Sequence, residues 1–218
     1  MEMMALPLGN EYVMAAAASV PPSKEAVLRA TCFNAPIAEI QQLLANPGLN
    51  LRDADSLILR DMCRIGRADV VKLLLDIPPA YGPDPTDREC EGFRMACSAR
   101  NIDIVRLFLE DPHKRVNINC WENRHNRFST PPPLVIAAKE GYCDIAKLLL
   151  DDGRVNRNGV YEALANSKDH ATVELLLTHP DSFAKISRSS LKRLLKEYEM
   201  SKDTASLFAT AIALKACC

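Results

Sequence analysis

Glycine is scarce in this chain, at 8 of 218 residues. No G-x-x-x-x-G-K-[ST] and no G-x-G-x-x-G occurs, so the glycine-built cradles that hold nucleotide phosphates are excluded. No serine stands in a G-x-S-x-G turn, and no other serine, threonine or cysteine has the setting of an activated nucleophile. There are eight cysteines but no C-x-x-C pair, which excludes a zinc ribbon and a thioredoxin motif. Neither sign of charge dominates: 27 Lys and Arg stand against 28 Asp and Glu. No global field then draws the chain to nucleic acid or to an anionic membrane. No apolar run approaches the roughly 20 residues of a spanning helix.

The first 22 residues carry Glu2 and Glu11 but no Lys or Arg, unlike the positive start of a secretory signal. Residues 1–22 are expected to be a leader, either disordered or docked as a helix on the first helices of the chain. The cysteines are then expected as thiols in a reducing, cytoplasmic setting. The terminal Cys217-Cys218 has neither a C-a-a-X box nor an upstream basic run, and reads as an exposed end rather than a lipid site.

What is present is repetition. The runs "IQQLLA", "VVKLLLD", "IVRLFLE", "IAKLLLD" and "TVELLLT" are versions of one another. Their first aligned leucines are Leu43, Leu73, Leu107, Leu148 and Leu175, spaced 30, 34, 41 and 27 residues apart. A weaker copy, "TASLFAT", places Leu207 a further 32 residues on. Four residues before the first four leucines stand Glu39, Asp69, Asp103 and Asp144. Acidic residues suit the first turn of a helix, where free N–H groups and the dipole favour negative charge. Apolar residues at i, i+1, i+4 and i+5 predict one buried helical face.

A second short helix is expected before each of these. The clearest is in "PPLVIAAKEGYCDIAKLLLDD", Pro132 to Asp152. Pro132 and Pro133 suit a helix start. Ala137 and Ala138 allow a neighbouring helix to approach, and Gly141 suits the tight turn between the two helices. Aligned on the leucines, the alanine pair becomes Met62-Cys63, Ala96-Cys97 and Leu164-Ala165, and the glycine becomes Gly66, Arg100 and Lys168. Cys63 and Cys97 thus read as small buried side chains.

In these residues the chain resembles the ankyrin repeat family, whose repeat of about 33 residues reads T-P-L-H-x-A-A-x-x-G followed by I-V-x-x-L-L. The resemblance covers roughly Ser23 to Ala216 and is strongest in Pro132–Asp152. It departs from the family at the T-P-L-H start, which is Pro132-Pro133-Leu134-Val135 here. The resemblance implies an all-α, ankyrin-like helix-turn-helix repeat solenoid with long finger loops. Five to six repeats are expected over residues 23–218.

Two long connections interrupt the array. Between Leu109 and Leu134 lie 24 residues that include "CWENRHNRF". Trp121, Arg124, His125, Arg127 and Phe128 are of the types enriched at binding hot spots. The basic and aromatic mixture over 113–128 also carries the competing reading of a single-strand nucleic-acid grip. Cys120, His113 and His125 match no zinc spacing, and a structural zinc needs four ligands. The second connection, Asp76 to Gly92, is proline-rich and acidic with Tyr81 near its tip. By the resemblance, the residues after each alanine pair face the concave side: Arg64, Ser98, Lys139, Glu140 and Asn166. The resemblance implies a non-catalytic scaffold, expected as a monomer, that binds another protein through the fingers and this concave row. No cofactor, metal, small-molecule substrate or membrane partner is expected, and nucleic acid is disfavoured. An enzyme whose site leaves no recognisable motif is the remaining alternative.

Overall fold

The computed structural model describes residues 24–45, 51, 53–120, 131–167, 169–197 and 201–217. Among them there are helices and turns but no strand. The helices fall into successive pairs. Helix α1 (Lys24–Asn34) precedes α2 (Ile37–Leu44), α3 (Asp53–Ile65) precedes α4 (Ala68–Asp76), and α5 (Asp87–Ser98) precedes α6 (Ile102–Glu110). Then α7 (Pro133–Glu140) precedes α8 (Cys143–Asp151), and α9 (Arg157–Asn166) precedes α10 (His170–Thr178). A short α11 (Pro180–Lys185) separates these from α12 (Arg188–Glu197) and α13 (Lys202–Cys217).

The pairs stack in register. The first helices form one row, α1 on α3, α5, α7, α9 and α12 in turn, and the second helices form another, α2 on α4, α6, α8, α10 and α13. The structure is therefore an all-α helical repeat array. Each pair buries its apolar face on its neighbours, since two short helices cannot cover it alone. Met62, Cys63, Ala96, Cys97, Ala137 and Ala138 are buried, while Ala165 near the far end is only half-buried. The aligned Leu73, Leu107, Leu148 and Leu175 are half-buried, and the deepest positions are the next residues along: Leu74, Phe108, Leu149 and Leu176. Phe93 of α5 meets Phe108 of α6 edge to face, with ring centroids 5.5 Å apart.

The turn is left-handed inside three of the pairs, α3–α4, α5–α6 and α7–α8. Gly66 has φ +85°, Gly141 has +71°, and Arg100, in the same slot, has +56°. The fourth member of this series, Lys168, lies outside the described residues. The next residue after the slot ties its turn to the previous pair. Arg67 donates to the Cys32 and Ala35 carbonyls at 3.1 and 3.2 Å, and Asn101 Nδ2 donates to the Cys63 carbonyl at 2.8 Å. These contacts satisfy carbonyls at a helix end that have no intrahelical donor.

Local sequence explains the helix starts. Pro133 occupies the first position of α7, with Pro132 as its cap. Asn156 Oδ1 accepts from Gly159 N at 2.7 Å to begin α9, and Asp169 Oδ2 accepts from Thr172 N at 2.9 Å to begin α10. Glu39, Asp69, Asp103 and Asp144 all lie in first turns. The sixth pair departs from the others: α11 intervenes, and α13 runs 16 residues where α4, α6, α8 and α10 run 9 each.

Candidate interaction surfaces

Arg64, Ser98, Lys139, Glu140 and Asn166 are all exposed. They occupy the C-terminal ends of α3, α5, α7 and α9, one stacked element after another. In each helix they come directly after the pair that faces the core, so the helical turn carries them off it. Arg64 Nη2 lies 3.7 Å from Asp61 Oδ1, and Asn166 Nδ2 donates to the Glu162 carbonyl at 2.7 Å.

Further charged groups on the first helices lock one pair to the next. Arg29 Nε donates to Asp61 Oδ2 at 2.6 Å across α1 and α3. Arg60 of α3 bonds Glu91 of α5, and Ser56 bonds Asp87. Reasoning from the sequence missed these bonds. A signal existed: the partners stand 31 or 32 residues apart, close to one repeat.

The loop after α4 places Tyr81 at 72% exposure, the most open large apolar side chain among the described residues. Its acidic residues are engaged locally. Asp84 Oδ1 accepts from Thr86 N at 2.9 Å and from Thr86 Oγ1 at 2.7 Å, and Asp87 accepts from Ser56. Where α5 begins, Arg88, Glu89 and Cys90 run left-handed, with φ of 48°, 55° and 56°. The buried Arg94 donates to the Glu89 and Arg88 carbonyls at 3.0 and 3.1 Å. This guanidinium secures a backbone shape that side chains disfavour.

The loop after α6 is described only as far as Cys120. Trp121, Arg124, His125, Arg127 and Phe128 lie outside the described residues. Lys114 and Arg115, earlier in the loop, correct the picture of a freely basic segment. Arg115 Nε donates to Asp111 Oδ2 at 3.0 Å, and its Nη2 reaches the Leu75 carbonyl at 3.1 Å. Lys114 bonds the Leu109 carbonyl and lies 3.6 Å from Asp152. Both cations are part of the frame because their partners lie on neighbouring elements. Burial alone would push the Asp111 carboxyl up, but the Arg115 guanidinium and backbone N–H donors outweigh it and hold the carboxyl below its usual range.

The same arrangement recurs one pair later. Arg154 Nε donates to Asp152 Oδ1 at 2.6 Å, and its Nη1 reaches the Val116 carbonyl at 2.9 Å. The sequence shows the parallel as "RVN" at Arg115 and again at Arg154. Cys120 and Cys90 are both buried. The Cys120 thiol hydrogen-bonds Cys90, and that bond together with burial pushes Cys120 up. Among the described residues no group of three or more His, Cys, Asp or Glu side chains converges as metal ligands would.

Two rows of stacked short helices, left-handed turns and exposed side chains repeated at one level define a helical-repeat protein. Residues 59–159 match the family described as "Ankyrin repeats (3 copies)". Such repeats are in general protein–protein interaction modules. No curated protein matches the chain. No helix among the described residues is long and apolar enough to cross a membrane.

Proposed function

We infer that this chain is a non-catalytic scaffold that binds another protein along the row of Arg64, Ser98, Lys139, Glu140 and Asn166 and through its long loops. The observation that carries this reading is the row itself. Five polar side chains on four successive stacked helices stand exposed at one level of the array. An exposed, repeated surface of this kind suits an extended contact with a macromolecule better than enclosure of a small substrate. Tyr81 extends the surface on the loop after α4. Trp121, Arg124, His125, Arg127 and Phe128 are included as proposed contact residues, and the location proposed is the cytoplasm. The engagement of Lys114 and Arg115 with Asp111 and Asp152 leaves less free positive charge for a phosphate backbone, which favours protein over nucleic acid as partner.

The test is affinity capture from cell lysate, with and without nuclease. Wild type is compared with two variants: residues 121–130 replaced by a Gly-Ser segment, and Arg64→Glu with Lys139→Glu. Asn119 and Cys120 stay in place because both are built into the frame. Loss of nuclease-resistant partners in either variant, at unchanged melting temperature, is expected. An identical set of partners in all three proteins overturns the reading.

A further inference from the structure

A cleft of about 330 Å³ lies between the C-terminal ends of α4 and α6, in the row of second helices and away from the exposed row described above. Its walls include Leu75, Ile77, Leu107 and the prolines that follow each helix. Leu75, Ile77 and Leu107 are half-buried. The volume is in the range of sites that take small ligands or a few side chains.

Acidic groups outnumber basic ones along the cleft: Asp76, Glu110 and Asp111 line it beside Lys72 and His113. Helix α4 ends at Asp76 and then Ile77-Pro78, and α6 ends at Glu110 and then Asp111-Pro112. The α4 cap Ile77 is extended, the α6 cap Asp111 has φ −51° and ψ 117°, and the proline after each offers no N–H, so the backbone that follows does not cap the last carbonyls. Two negative helix ends therefore stand side by side. Each carries an exposed carboxylate at its rim, Asp76 and Glu110. Lys72 pairs with Asp76 at 3.1 Å, but both side chains are 62% exposed, and such pairs hold weakly. No basic side chain among the described residues pairs with Glu110.

The protein itself shows what these ends attract. On the inner side, Arg115 spans the two helices, bonding Asp111 and the Leu75 carbonyl, and Lys114 bonds the Leu109 carbonyl. Two of the chain's own cations satisfy the inner carbonyls, and the outer rim remains open to solvent. We propose that this cleft docks a segment of a partner protein in which an arginine or lysine stands beside an aliphatic residue. The cation sits between Asp76 and Glu110, as Arg115 does on the inner side, and the aliphatic side chain packs on Leu75, Leu107 and the prolines. The acidic rim rejects a nucleic-acid backbone. This docking site is separate from the exposed row of the first helices and stands whether or not that row binds.

The test is a titration of the full ¹⁵N-labelled chain, followed by amide NMR shifts. The probes are acetyl-Leu-Arg-Leu-amide and acetyl-Leu-Glu-Leu-amide. The basic peptide is expected to give saturable shifts centred on Leu75–Ile77 and Leu107–Asp111, weakening as salt is raised. The acidic peptide is expected to leave these amides in place. In Asp76→Asn with Glu110→Gln, whose spectrum elsewhere reports the intact fold, affinity falls about two- to fivefold, the size of one or two exposed ion pairs. Equal shifts with both peptides, shifts centred elsewhere, no saturable shift, or unchanged affinity in the double variant each overturn the proposal.

Discussion

Asn119 and Asn156 join two successive loops of the array. Asn119 Nδ2 donates to the Arg154 carbonyl at 2.9 Å, and Asn156 N donates to Asn119 Oδ1 at 2.8 Å. Asn156 in turn caps α9 through Gly159. One amide thus satisfies a donor and an acceptor from a loop one repeat away, and fixes where the next helix begins. Asn119→Ala is expected to destabilise by about 1–3 kcal/mol, because it leaves both groups without a partner. Asn117→Ala, at an exposed site whose Oδ1 only accepts from Asn119 N at 3.0 Å, should cost less. Urea unfolding of the two variants side by side checks this, and equal losses would mean the bridge is not special.

The left-handed turns make a second prediction. Gly141 at φ +71° has only ordinary contacts waiting for a Cβ, the nearest being Asp169 Cβ at 3.5 Å. Backbone conformation therefore sets the cost, and Gly141→Val should lose about 1–2 kcal/mol. Arg100 already bears that cost. It recovers part through the 2.9 Å contact of Nη2 with Asp144 and through its position 5.3 Å from the Tyr142 ring. Arg100→Gly relieves the strain but removes both contacts, so its stability should stay close to that of wild type. The midpoints of thermal or urea unfolding read both effects.

Overfilling the helix contact tests the stacking. Ala137 and Ala138 have no exposed surface, and α7 sits between α5 and α9. Ala137→Arg forces a long charged side chain into that contact and should cost at least about 3 kcal/mol, since overpacking and burial of charge add. Lys139→Ala, two residues on and exposed, should leave the melting temperature almost unchanged.

Acid should loosen the array in a defined window. Asp111 is lowered in the native state by Arg115 and backbone donors acting against burial, and Asp152 is lowered likewise by Arg154 and Lys114. A carboxyl lowered on folding contributes stability in full above roughly pH 5, and that contribution fades as pH falls through about 4 toward the native value. The urea midpoint is therefore expected to change little on this account from pH 7 to 5 and then to drop. Asp111→Asn should be less stable at pH 7 by about 2–3 kcal/mol, because Arg115 keeps some solvent contact and the loss is smaller than for a fully buried pair. The same variant should show a shallower fall in acid.

The thiols should divide by burial. Burial pushes Cys63 and Cys97 far above the ordinary thiol range and Cys32 up to about 11, the latter partly offset by Arg67. Iodoacetamide at pH 8 should leave these three unmodified in the folded protein and label them after denaturation. Cys143, half-buried at the start of α8, should label sooner. Rapid native labelling of Cys63 or Cys97 would contradict the stacking of α3 on α5.

The helices and their pairing were legible because the signals are local. Acidic residues mark first turns, Pro132-Pro133 marks a start, and the leucine runs mark a buried face. Even the slot aligned with Gly141 was found by counting, and Arg100 there does take a left-handed φ. The depth ranking was not legible: Leu74, Phe108 and Leu149 lie deeper than the leucines used for alignment. Small differences in helix rotation decide which of two adjacent apolar residues reaches the centre. Of the candidate interaction residues, Arg64, Ser98, Lys139, Glu140 and Asn166 were singled out by the repeat resemblance and Tyr81 by its place in a proline-rich loop, and all six are exposed.

The amino-acid sequence by itself determined that this chain builds stacked helix pairs. An apolar face that returns every 30 or so residues must be buried, and the only surface that fits it is the next copy of itself. Tertiary structure alone decided which polar groups hold that stack together. Lys114 and Arg115 look like free charge in the sequence, yet they bond carbonyls of Leu109 and Leu75 and sit beside Asp152 and Asp111. Arg60, Asn119 and Arg154 find partners 31 to 38 residues away. The physical reason is distance along the chain: a side chain's partner in a stacked array lies one repeat off, and which group arrives there depends on the packing of whole helices rather than on neighbouring residues.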